Sequence, residues 1–518
     1  MAERAGYRIG VDVGGTNTDA VLMNEDLEIL AKYKSETTVD VVGGIADAMR
    51  SVLEASGVGA SKIGRVMLGT THATNAVLER RDLGRVAAIR IGGPATKSVP
   101  PLVTWPDDLR AVVSAGEVII DGGFEFDGSE QVPLDEDALR SFLSSMDEVP
   151  ESFAVTSIFA PVSDAHELRA ADIIREIYPD TALSLSGSIG SLGVLERENA
   201  CVLNASLMSV AHKIVAGISE ATTSLGIDAV SYFAQNDGTL MAMDRVLQFP
   251  VLTIGSGPAN SMRGAAHLSG LSEAIVVDVG GTSTDIGVLA AGFPRESAIP
   301  VEIGGVRTNF RMPDLLALAL GGGTIVADGT DGLRLGPESV GHRLATEALC
   351  FGGTVPTLSD VANRVGRASF GTSQPDALSV DVANRAIAEV DRIFEDGIDR
   401  MKLSRSAQPV IVVGGGSVLV PSALDGVSEV IRPENHDVAN AVGAAIASVS
   451  AEIDQLFSIE GNTREATIDA AKADAIGAAV ALGADPESTE VVALEELTMA
   501  YMTNNIVRLR IKAAGPLL

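Results

Sequence analysis

Cysteine and aromatic residues are scarce in this chain. Its 518 residues include 2 cysteines and 1 tryptophan, and aromatic residues make up 4% of the sequence. The two cysteines, Cys201 and Cys350, lie far apart and form no C-x-x-C pair, which excludes a disulfide-rich scaffold and a zinc ribbon. No two of the 6 histidines lie four residues apart, so the H-E-x-x-H zinc motif is absent as well.

Positive charge is also in short supply. The chain has 38 lysines and arginines against 69 aspartates and glutamates, which gives a formal net charge of −31. Phosphate backbones select basic surfaces, so DNA or RNA is excluded as a main partner. No uninterrupted apolar run approaches the roughly 18 residues of a membrane span, and the first residues contain no apolar leader. We therefore expect a cytoplasmic protein without a membrane partner.

Glycine, by contrast, is abundant, and it carries an internal repeat. The chain has 54 glycines; residues 12–19 read DVGGTNTD and residues 278–285 read DVGGTSTD, with a single difference between the two. A β-rich run precedes and follows each copy, which predicts a strand, a glycine turn and a second strand, that is, a β-hairpin. Rossmann and Walker loops need a helix after the glycines, so neither fits this context.

A glycine-threonine hairpin turn can bind phosphate, because its backbone N–H groups and hydroxyls converge on anionic oxygens. The alternative is that the glycines only close a tight hairpin, and the near-identical second copy favours phosphate binding. The predicted nucleotide-binding residues are Gly14, Gly15, Thr16, Asn17 and Thr18 in the first copy and Gly280, Gly281, Thr282, Ser283 and Thr284 in the second.

Each hairpin also carries two aspartates. A carboxylate at the end of the first strand would repel phosphate unless it holds a cation, so Asp12 and Asp278 are predicted to organise Mg²⁺. The other two aspartates, Asp19 and Asp285, are expected to turn toward their own hairpin strands.

Two later glycine clusters are candidates for the nucleoside end of a nucleotide. Residues 410–421 read VIVVGGGSVLVP, a buried strand followed by glycines against which a flat adenine or ribose can lie. The segment LALGGGTIVADG at 318–329 is a weaker case, for which a plain turn between strands remains the alternative. The candidate residues in the two clusters are Gly322, Gly323, Gly414, Gly415, Gly416 and Ser417.

The two hairpins and the late VVGGGS resemble the ATPase fold shared by actin, Hsp70 and sugar kinases. Residues 69–80, GTTHATNAVLER, resemble the G-T-T-x-A-T-N-x-x-x-E-R signature of the hydantoinase A/5-oxoprolinase family. Further matches follow in the same chain order: LERENACVLNASL at 195–207, QNDGTLM at 235–241, GSGPANS at 255–261 and LGPESVG at 335–341. The resemblance covers roughly residues 8–450.

The resemblance implies an α/β fold with duplicated actin-like ATPase domains, related to ribonuclease H, on either side of a nucleotide cleft. The first half is expected at residues 1–200, with an inserted subdomain at about 85–150, and the second half at 201–455. Residues 456–518 are expected to add a small α+β extension, made of a helix and a terminal hairpin. The implied cofactors are ATP and Mg²⁺.

The family signature also implies substrate-side roles for the loop at 69–75. Thr71 and Asn75 are expected to contact the γ-phosphate or the substrate carbonyl, and Thr70 and His72 are expected beside the substrate. The alternatives are that Thr71 caps the following helix and that His72 merely packs. Arg197 is expected to brace the substrate, with a hinge salt bridge as the alternative. The catalytic candidates are therefore Asp12, Thr71, Asn75 and Asp278.

Two features depart from the family pattern. The usual S-G-P-A-G-G motif ends here in Asn260 and Ser261, so two polar side chains replace two glycines. The large C-terminal domain of long family members is expected to be absent, which would make the chain a short-form member.

The activity implied by the resemblance is ATP-dependent hydrolysis of a cyclic amide such as a hydantoin, a lactam or oxoproline. Phosphorylating the carbonyl oxygen activates a poor electrophile, and a kinase-like fold supplies the positioning and the charge neutralisation that this transfer needs. A second catalytic subunit, hydantoinase B-like or other, is expected to complete the enzyme. Two alternatives stay open: the ATPase subunit of a ketone carboxylase, and a nucleotide-driven clamp that activates a partner protein.

Overall fold

The computed structural model describes residues 6–15, 17–36, 41–190, 192–297, 299–330, 332–458, 463–498 and 506–518. Thr16, one of the nucleotide-binding candidates, lies outside the described residues, as does the turn expected at residues 503–505.

The described strands fall into two large sheets and several smaller ones. In chain order they are β1 (Tyr7–Val13), β2 (Asn17–Met23), β3 (Ile29–Glu36), β4 (Ile63–Thr70), β5 (Val86–Gly93), β6 (Ser114–Asp121), β7 (Gly123–Phe124), β8 (Glu130–Val132), β9 (Ser152–Ser157), β10 (Ala182–Leu185), β11 (Val230–Ala234), β12 (Leu240–Ala242), β13 (Ala274–Val279), β14 (Thr284–Ala290), β15 (Phe293–Pro294), β16 (Val301–Ile303), β17 (Val306–Thr308), β18 (Leu315–Leu318), β19 (Thr324–Gly329), β20 (Gly332–Ser339), β21 (Gln408–Val413), β22 (Val427–Ile431), β23 (Val449–Ser458), β24 (Glu490–Thr498) and β25 (Ile506–Gly515).

Helices cover and connect these sheets. In chain order they are α1 (Val41–Ser56), α2 (His72–Glu79), α3 (Asp107–Val113), α4 (Glu136–Ser144), α5 (Ala165–Ile177), α6 (Val194–Ser224), α7 (Met243–Gln248), α8 (Ser256–Ser269), α9 (Leu344–Glu347), α10 (Leu358–Arg364), α11 (Val380–Met401), α12 (Ala439–Ile446) and α13 (Arg464–Ala481).

The first large sheet has nine strands in the order β24-β25-β23-β12-β11-β4-β1-β2-β3, and the second has β15-β14-β13-β21-β22, with β18 paired to β14. The central strands β1 and β13 are almost entirely buried, as their continuous aliphatic sequences predict. A separate four-stranded sheet, β10-β9-β5-β6, forms the inserted subdomain.

The sheets do not follow the division expected at residue 200. Strands β11 and β12, from the expected second half, pair within the first sheet, and so do the C-terminal strands β23 to β25. The subdomain sheet extends to β10, which ends at Leu185, whereas the insertion was expected to end at about residue 150. The C-terminal region contains α13 and the antiparallel pair β24 and β25.

The long helix α6 joins the subdomain to the rest of the chain. By length and composition it is apolar enough to span a membrane, but 67% of its most apolar window is buried inside the protein. It packs against β9, β10, α1 and α2, as a core helix does.

Two short helices, α8 and α12, hold the two large sheets together. Helix α12 packs on β1, β2 and β4 of the first sheet, and α8 packs on β13, β14 and β21 of the second. The helices touch each other through glycines: a Cβ on Gly264 would lie 1.8 Å from the Ala439 carbonyl oxygen, and one on Gly443 would lie 1.8 Å from the Asn260 carbonyl oxygen. Backbone therefore meets backbone at the junction, as the small-residue sequence of α12 predicts.

Candidate functional site

Each large sheet contains the same four-stranded unit, built around one copy of the repeat. The units are β3-β2-β1-β4 and β18-β14-β13-β21. In the first hairpin Asp12 lies opposite Asp19, and in the second Asp278 lies opposite Asp285. The turns close in the same way, with N-to-O distances of 2.9 Å from Gly14 to Asn17 and from Gly280 to Ser283. The prediction of two matching hairpins is confirmed.

The repeat extends to the parallel strand beside each hairpin. Strand β4 pairs with β1 and β21 pairs with β13. At the end of each of these strands a glycine lies under the motif aspartate: a Cβ on Gly69 would lie 2.0 Å from an Asp12 carboxylate oxygen, and one on Gly414 would lie 2.4 Å from an Asp278 carboxylate oxygen. Gly414 also has a φ of +86°, which favours glycine on its own. Both glycines make room for the carboxylates.

A cavity of about 570 Å³ opens between the two hairpins. Many of the glycines and hydroxyl residues predicted to bind a nucleotide line it. They are Gly14, Gly15, Asn17, Gly280, Gly281, Thr282, Ser283, Gly322, Gly414, Gly415 and Gly416. Most of the sequence candidates are thus brought together at one site.

One part of the cavity wall is apolar. Leu344, Val418, Leu419, Phe351 and Phe370 line it, and the two phenylalanine rings stack with their centroids 6.1 Å apart. The cavity therefore has a glycine- and carboxylate-rich region and an apolar region. That pairing suits a ligand with an anionic end and a flat aromatic end.

Four of the nucleotide-binding candidates do not line the cavity. Thr284 is fully buried, and its hydroxyl donates to the Leu320 carbonyl at 2.6 Å, which ties the second hairpin to the 318–329 segment. Thr18 and Ser417 are buried, and Gly323 N donates to the Gly281 carbonyl at 2.7 Å. These residues shape the loops behind the wall.

The four hairpin aspartates do not divide as expected. Asp278 and Asp19 line the cavity, whereas Asp12 is buried behind the wall. The prediction that Asp19 turns toward its own hairpin strands is wrong, because Asp19 lines the cavity. Of the two aspartates predicted to organise Mg²⁺, Asp278 lines the cavity and Asp12 does not, and their metal role stays a prediction.

Two amides hold the Asp12 carboxylate in place. Asn440 of α12 donates to one oxygen at 2.9 Å, and Asn260 of α8 donates to the other at 3.3 Å. Burial and the nearby Asp19 raise the pKa of Asp12 to about 6, although both amides favour its ionised form. Burial also raises the pKa of Asp278, and the Ser261 hydroxyl hydrogen-bonds that carboxylate.

The departures from the family motif therefore lie at the site. Asn260 contacts Asp12 and Ser261 contacts Asp278, so each polar replacement serves one of the motif aspartates. The side-chain oxygen of Asn260, Oδ1, is buried and accepts no hydrogen bond from the described residues.

The wall fits a hydrated Mg²⁺ rather than a dehydrated metal centre. Its donors are oxygens: two carboxylates, Asp19 and Asp278, together with the hydroxyl and amide oxygens of Thr282, Ser283 and Asn17. The described residues contain no cluster of three His, Cys, Asp or Glu that would replace the water shell of a metal. Mg²⁺ keeps several waters and uses one or two carboxylates together with phosphate oxygens, which matches this donor set.

The loop at 69–75 lies one strand away from the cavity. The backbone N–H and the hydroxyl of Thr71 both donate to the Val13 carbonyl at 3.1 Å. Thr71 occupies the N-cap position of α2, but its side chain makes no capping bond. Asn75 donates to the Thr71 hydroxyl at 3.4 Å, and the Thr70 hydroxyl contacts His72. Burial lowers the pKa of His72. The roles assigned to this loop stay predictions.

Arg197 does not lie at the cavity. It is 1% exposed, its Nε donates to the Ser186 hydroxyl at 2.9 Å, and its guanidinium also donates to the Ser157 carbonyl. Glu167 accepts from the same Ser186 at 2.6 Å. The prediction that Arg197 braces the substrate is corrected: its side chain stabilises the junction between α6 and the subdomain sheet.

Sequence reasoning missed three kinds of wall residue. One is Lys34 of β3, which lies directly opposite Asp19 in the strand register. Another is Asn440, the single amide among the small residues that begin α12. The third is the Phe351 and Phe370 pair. Aligning β3 against β2 would have revealed Lys34, whereas the phenylalanines come from separate loops and leave no local signal.

Comparison with known proteins supplies the identity of the fold and family. The sequence profile of the hydantoinase/oxoprolinase N-terminal region matches residues 8–178, and the hydantoinase/oxoprolinase profile matches residues 197–399. The chain belongs to the hydantoinase/oxoprolinase family.

Two curated members are similar to this one over most of its length. The alpha subunit of caprolactamase from Pseudomonas jessenii is 26% identical over 394 residues, which is 70% of this chain and 55% of the relative. The gamma subunit of acetophenone carboxylase from Aromatoleum aromaticum is 26% identical over 392 residues, 68% of this chain and 52% of the relative. The chain thus aligns with about half the length of these relatives.

Solved structures show the same fold. The ATP-dependent caprolactamase of Pseudomonas jessenii matches with a TM-score of 0.74 at 20% identity, over 99% of this chain and 88% of that one. Nucleotide-free acetone carboxylase matches with a TM-score of 0.71 at 16% identity, also over 99% of this chain and 88% of that one. This hydantoinase/oxoprolinase family member therefore has the same α/β fold as these two proteins.

Proposed function

We propose that this hydantoinase/oxoprolinase family member binds ATP with Mg²⁺ in the cavity between its two hairpins. One observation carries the proposal: two copies of the same glycine turn face a single cavity of about 570 Å³. That volume falls within the roughly 300–1,000 Å³ typical of small-molecule sites. The polyphosphate would lie at the glycine turns, and the base would lie against Phe351, Phe370 and Leu419.

The backbone supplies most of the phosphate contacts in this proposal. The turn glycines Gly15 and Gly281 would present their N–H groups to the phosphates without side chains in between. Asp19 and Asp278 would hold the hydrated Mg²⁺, which neutralises charge on the phosphates. Asn440, Asn260 and Ser261 keep the neighbouring carboxylates oriented.

The reaction we propose is ATP-dependent hydrolysis of a cyclic amide. The carbonyl oxygen of the amide attacks the γ-phosphorus, and ADP leaves with the electrons of the broken P–O bond. Water then adds to the activated carbon, and the ring C–N bond breaks with the amine as leaving group. A second water hydrolyses the resulting acyl phosphate, which gives the open-chain carboxylate and releases phosphate. Family membership and the similarity to caprolactamase, whose name states a lactam substrate, support this substrate class.

A second candidate is the ATPase subunit of a ketone carboxylase. The specific support is the acetophenone carboxylase gamma subunit, which is as similar in identity as the caprolactamase subunit, at 26% for both. In this case the same site would position the oxygen of an enolate for phosphorylation, which needs an architecture similar to that for an amide oxygen. Both relatives are named as subunits, so we also propose a second polypeptide as partner for either reaction.

The test is ATP-dependent phosphate release by the purified chain, alone and with its partner subunit. Hydantoins and lactams form one panel, and ketones with bicarbonate form the other. Release stimulated by cyclic amides supports the hydrolase, and bicarbonate-dependent release with a ketone supports the carboxylase. Release stimulated by the partner protein alone, with no small substrate, would instead indicate a nucleotide-driven clamp. A chain that neither binds nor hydrolyses ATP would refute all three.

A further inference from the structure

One lysine, Lys34, lines a cavity whose other charged side chains are carboxylates. Lys34 is the single lysine or arginine among the described residues that line it, whereas Asp19, Asp278 and Asp437 contribute three carboxylates. The Lys34 side chain is 31% exposed, whereas the side chain of its partner Asp19 is 3% exposed. The ammonium group is therefore accessible from the cavity, although its partner carboxylate is buried.

The Lys34 ammonium is held by three oxygens. Its Nζ lies 2.8 Å and 2.9 Å from the two carboxylate oxygens of Asp19. A third bond, of 3.0 Å, runs to the backbone carbonyl of Asp437. All three hydrogens of the ammonium therefore have an acceptor. These bonds hold Lys34 in one defined position at the wall.

The third bond brings Lys34 to the triple-glycine loop. Asp437 lies in the short 3₁₀ turn His436–Val438, and that turn accepts the Gly414 N–H at 2.9 Å through the His436 carbonyl. A Cβ placed on Gly415 would lie 3.9 Å from the Lys34 Cε. Lys34 thus extends from the first sheet to the glycine loop of the second, across the part of the cavity that is lined by the hairpin turns.

Charge explains what Lys34 could do there. A polyphosphate brings three or more negative charges toward three wall carboxylates, and repulsion between them must be offset by cations. A lysine ammonium sits on a flexible stem with four carbons and binds phosphate as a point charge, so a change of rotamer is enough to move it from one anion to another.

We propose that Lys34 binds the β- or γ-phosphate of the nucleotide, and that its pairing with Asp19 is the resting position of this cation. The inference rests on the proposed nucleotide site. When Lys34 turns to the phosphate, the Asp19 carboxylate is left facing the same cavity, where it can hold water around a cation. Lys34 therefore matters for the phosphates and not for the base.

The experiment compares nucleotides that differ in their number of phosphates. Calorimetry of the full chain with Mg²⁺ measures the affinities for ATP, ADP and AMP in the wild type and in Lys34→Met. A charge-assisted hydrogen bond corresponds to roughly a tenfold to hundredfold change in affinity. We expect a loss of that size for ATP and little change for AMP, so the ratio of ATP to AMP affinity falls.

Lys32 provides a matched control. It lies on the same strand, its Nζ contacts the Asp437 carboxylate at 2.8 Å, and its side chain is 42% exposed, but it does not line the cavity. Lys32→Met removes the same charge from the same strand, and we expect its ATP to AMP ratio to stay within about twofold of the wild type.

If the unpaired Asp19 prevents Lys34→Met from folding, the double variant Lys34→Met/Asp19→Asn removes both charges. It is then compared with Asp19→Asn alone. An unchanged ATP to AMP ratio in Lys34→Met, or in this pair of variants, would overturn the role of Lys34 and leave the nucleotide site standing. A wild-type chain that binds no nucleotide would overturn the proposed function, and the role of Lys34 with it.

Discussion

The two hairpins share a sequence and a register but not their surroundings. On the outer side of the first hairpin, β3 places Lys34 opposite Asp19; on the outer side of the second, β18 places Ala317 opposite Asp285. Asp19 is therefore ion-paired, whereas burial and the neighbouring Asp278 raise the pKa of Asp285 to about 7. The duplicated backbone has been kept, and the charge around it has diverged.

The inner sides of the hairpins differ as well. Asp12 is covered by two amides from the helices that join the sheets, whereas Asp278 faces the cavity and accepts a hydrogen bond from Ser261. A buried, doubly hydrogen-bonded carboxylate is a structural anchor, and a cavity-facing one is available to a ligand. We infer that the first hairpin contributes Asp19 to the site and the second hairpin contributes Asp278.

The largest expected effect separates the two aspartates of the second hairpin. Asp278→Asn should lower ATP-dependent phosphate release by about 100- to 1,000-fold, because it removes a carboxylate from the proposed site of phosphoryl transfer. Asp285→Asn, at the residue directly opposite Asp278 in the strand register, should change it by less than about threefold, because Asp285 does not line the cavity. The measurement is phosphate release at saturating ATP. Equal losses of phosphate release in the two variants would contradict the assignment of Asp278 to the site and of Asp285 to the interior.

The next effect concerns the helices that fix the distance between the hairpins. Gly264→Ala places a Cβ 1.8 Å from the Ala439 carbonyl oxygen, and backbone cannot yield as a side chain can. We expect the free energy of unfolding to fall by at least 1–3 kcal/mol, an order-of-magnitude figure for overpacking.

Gly477→Ala is the matched control for that substitution. Gly477 also lies within a helix, α13, but nothing approaches its Cβ position within 4 Å. The control should raise the free energy of unfolding by about 0.5–1 kcal/mol. Urea denaturation measures both variants, and a neutral Gly264→Ala would show that the junction of α8 and α12 is loose.

The smallest effect is a difference in pH dependence. Folding raises the pKa of Asp285 to about 7, so the folded state retains a proton that the unfolded state releases above about pH 4. The free energy of unfolding of the wild type should therefore fall between about pH 4 and pH 7, relative to Asp285→Asn, and the difference should be constant above that range. Urea denaturation at pH 5 and pH 8 tests the sign. A difference that shrinks as the pH rises would contradict the raised pKa.

Much of the fold was predictable because the repeat is local. Each hairpin is encoded by eight residues whose glycines, strands and register are read from one stretch of sequence. The same locality predicted the strand before the triple glycine. After the triple glycine, a 3₁₀ turn at Ser417–Leu419 is followed by strand β22.

The parts that failed depend on distant contacts. The Asp12 carboxylate is held by Asn440, which lies far along the chain from Asp12. Arg197 carries a charge that suggested a ligand, but Ser157 and Ser186 of the subdomain hold it in the interior. No spacing within the motifs reports such contacts, since each arises only when separate elements pack together.

The central claim is that both hairpins hold one nucleotide. A crystal structure of the chain with Mg²⁺ and a non-hydrolysable ATP analogue tests it most directly. We expect phosphate oxygens within about 3 Å of backbone N–H groups in both turns, at Gly15 and at Gly281. We also expect the base beside Phe351 and Phe370. Phosphates held by one turn alone, or a nucleotide bound outside the cavity, would contradict it.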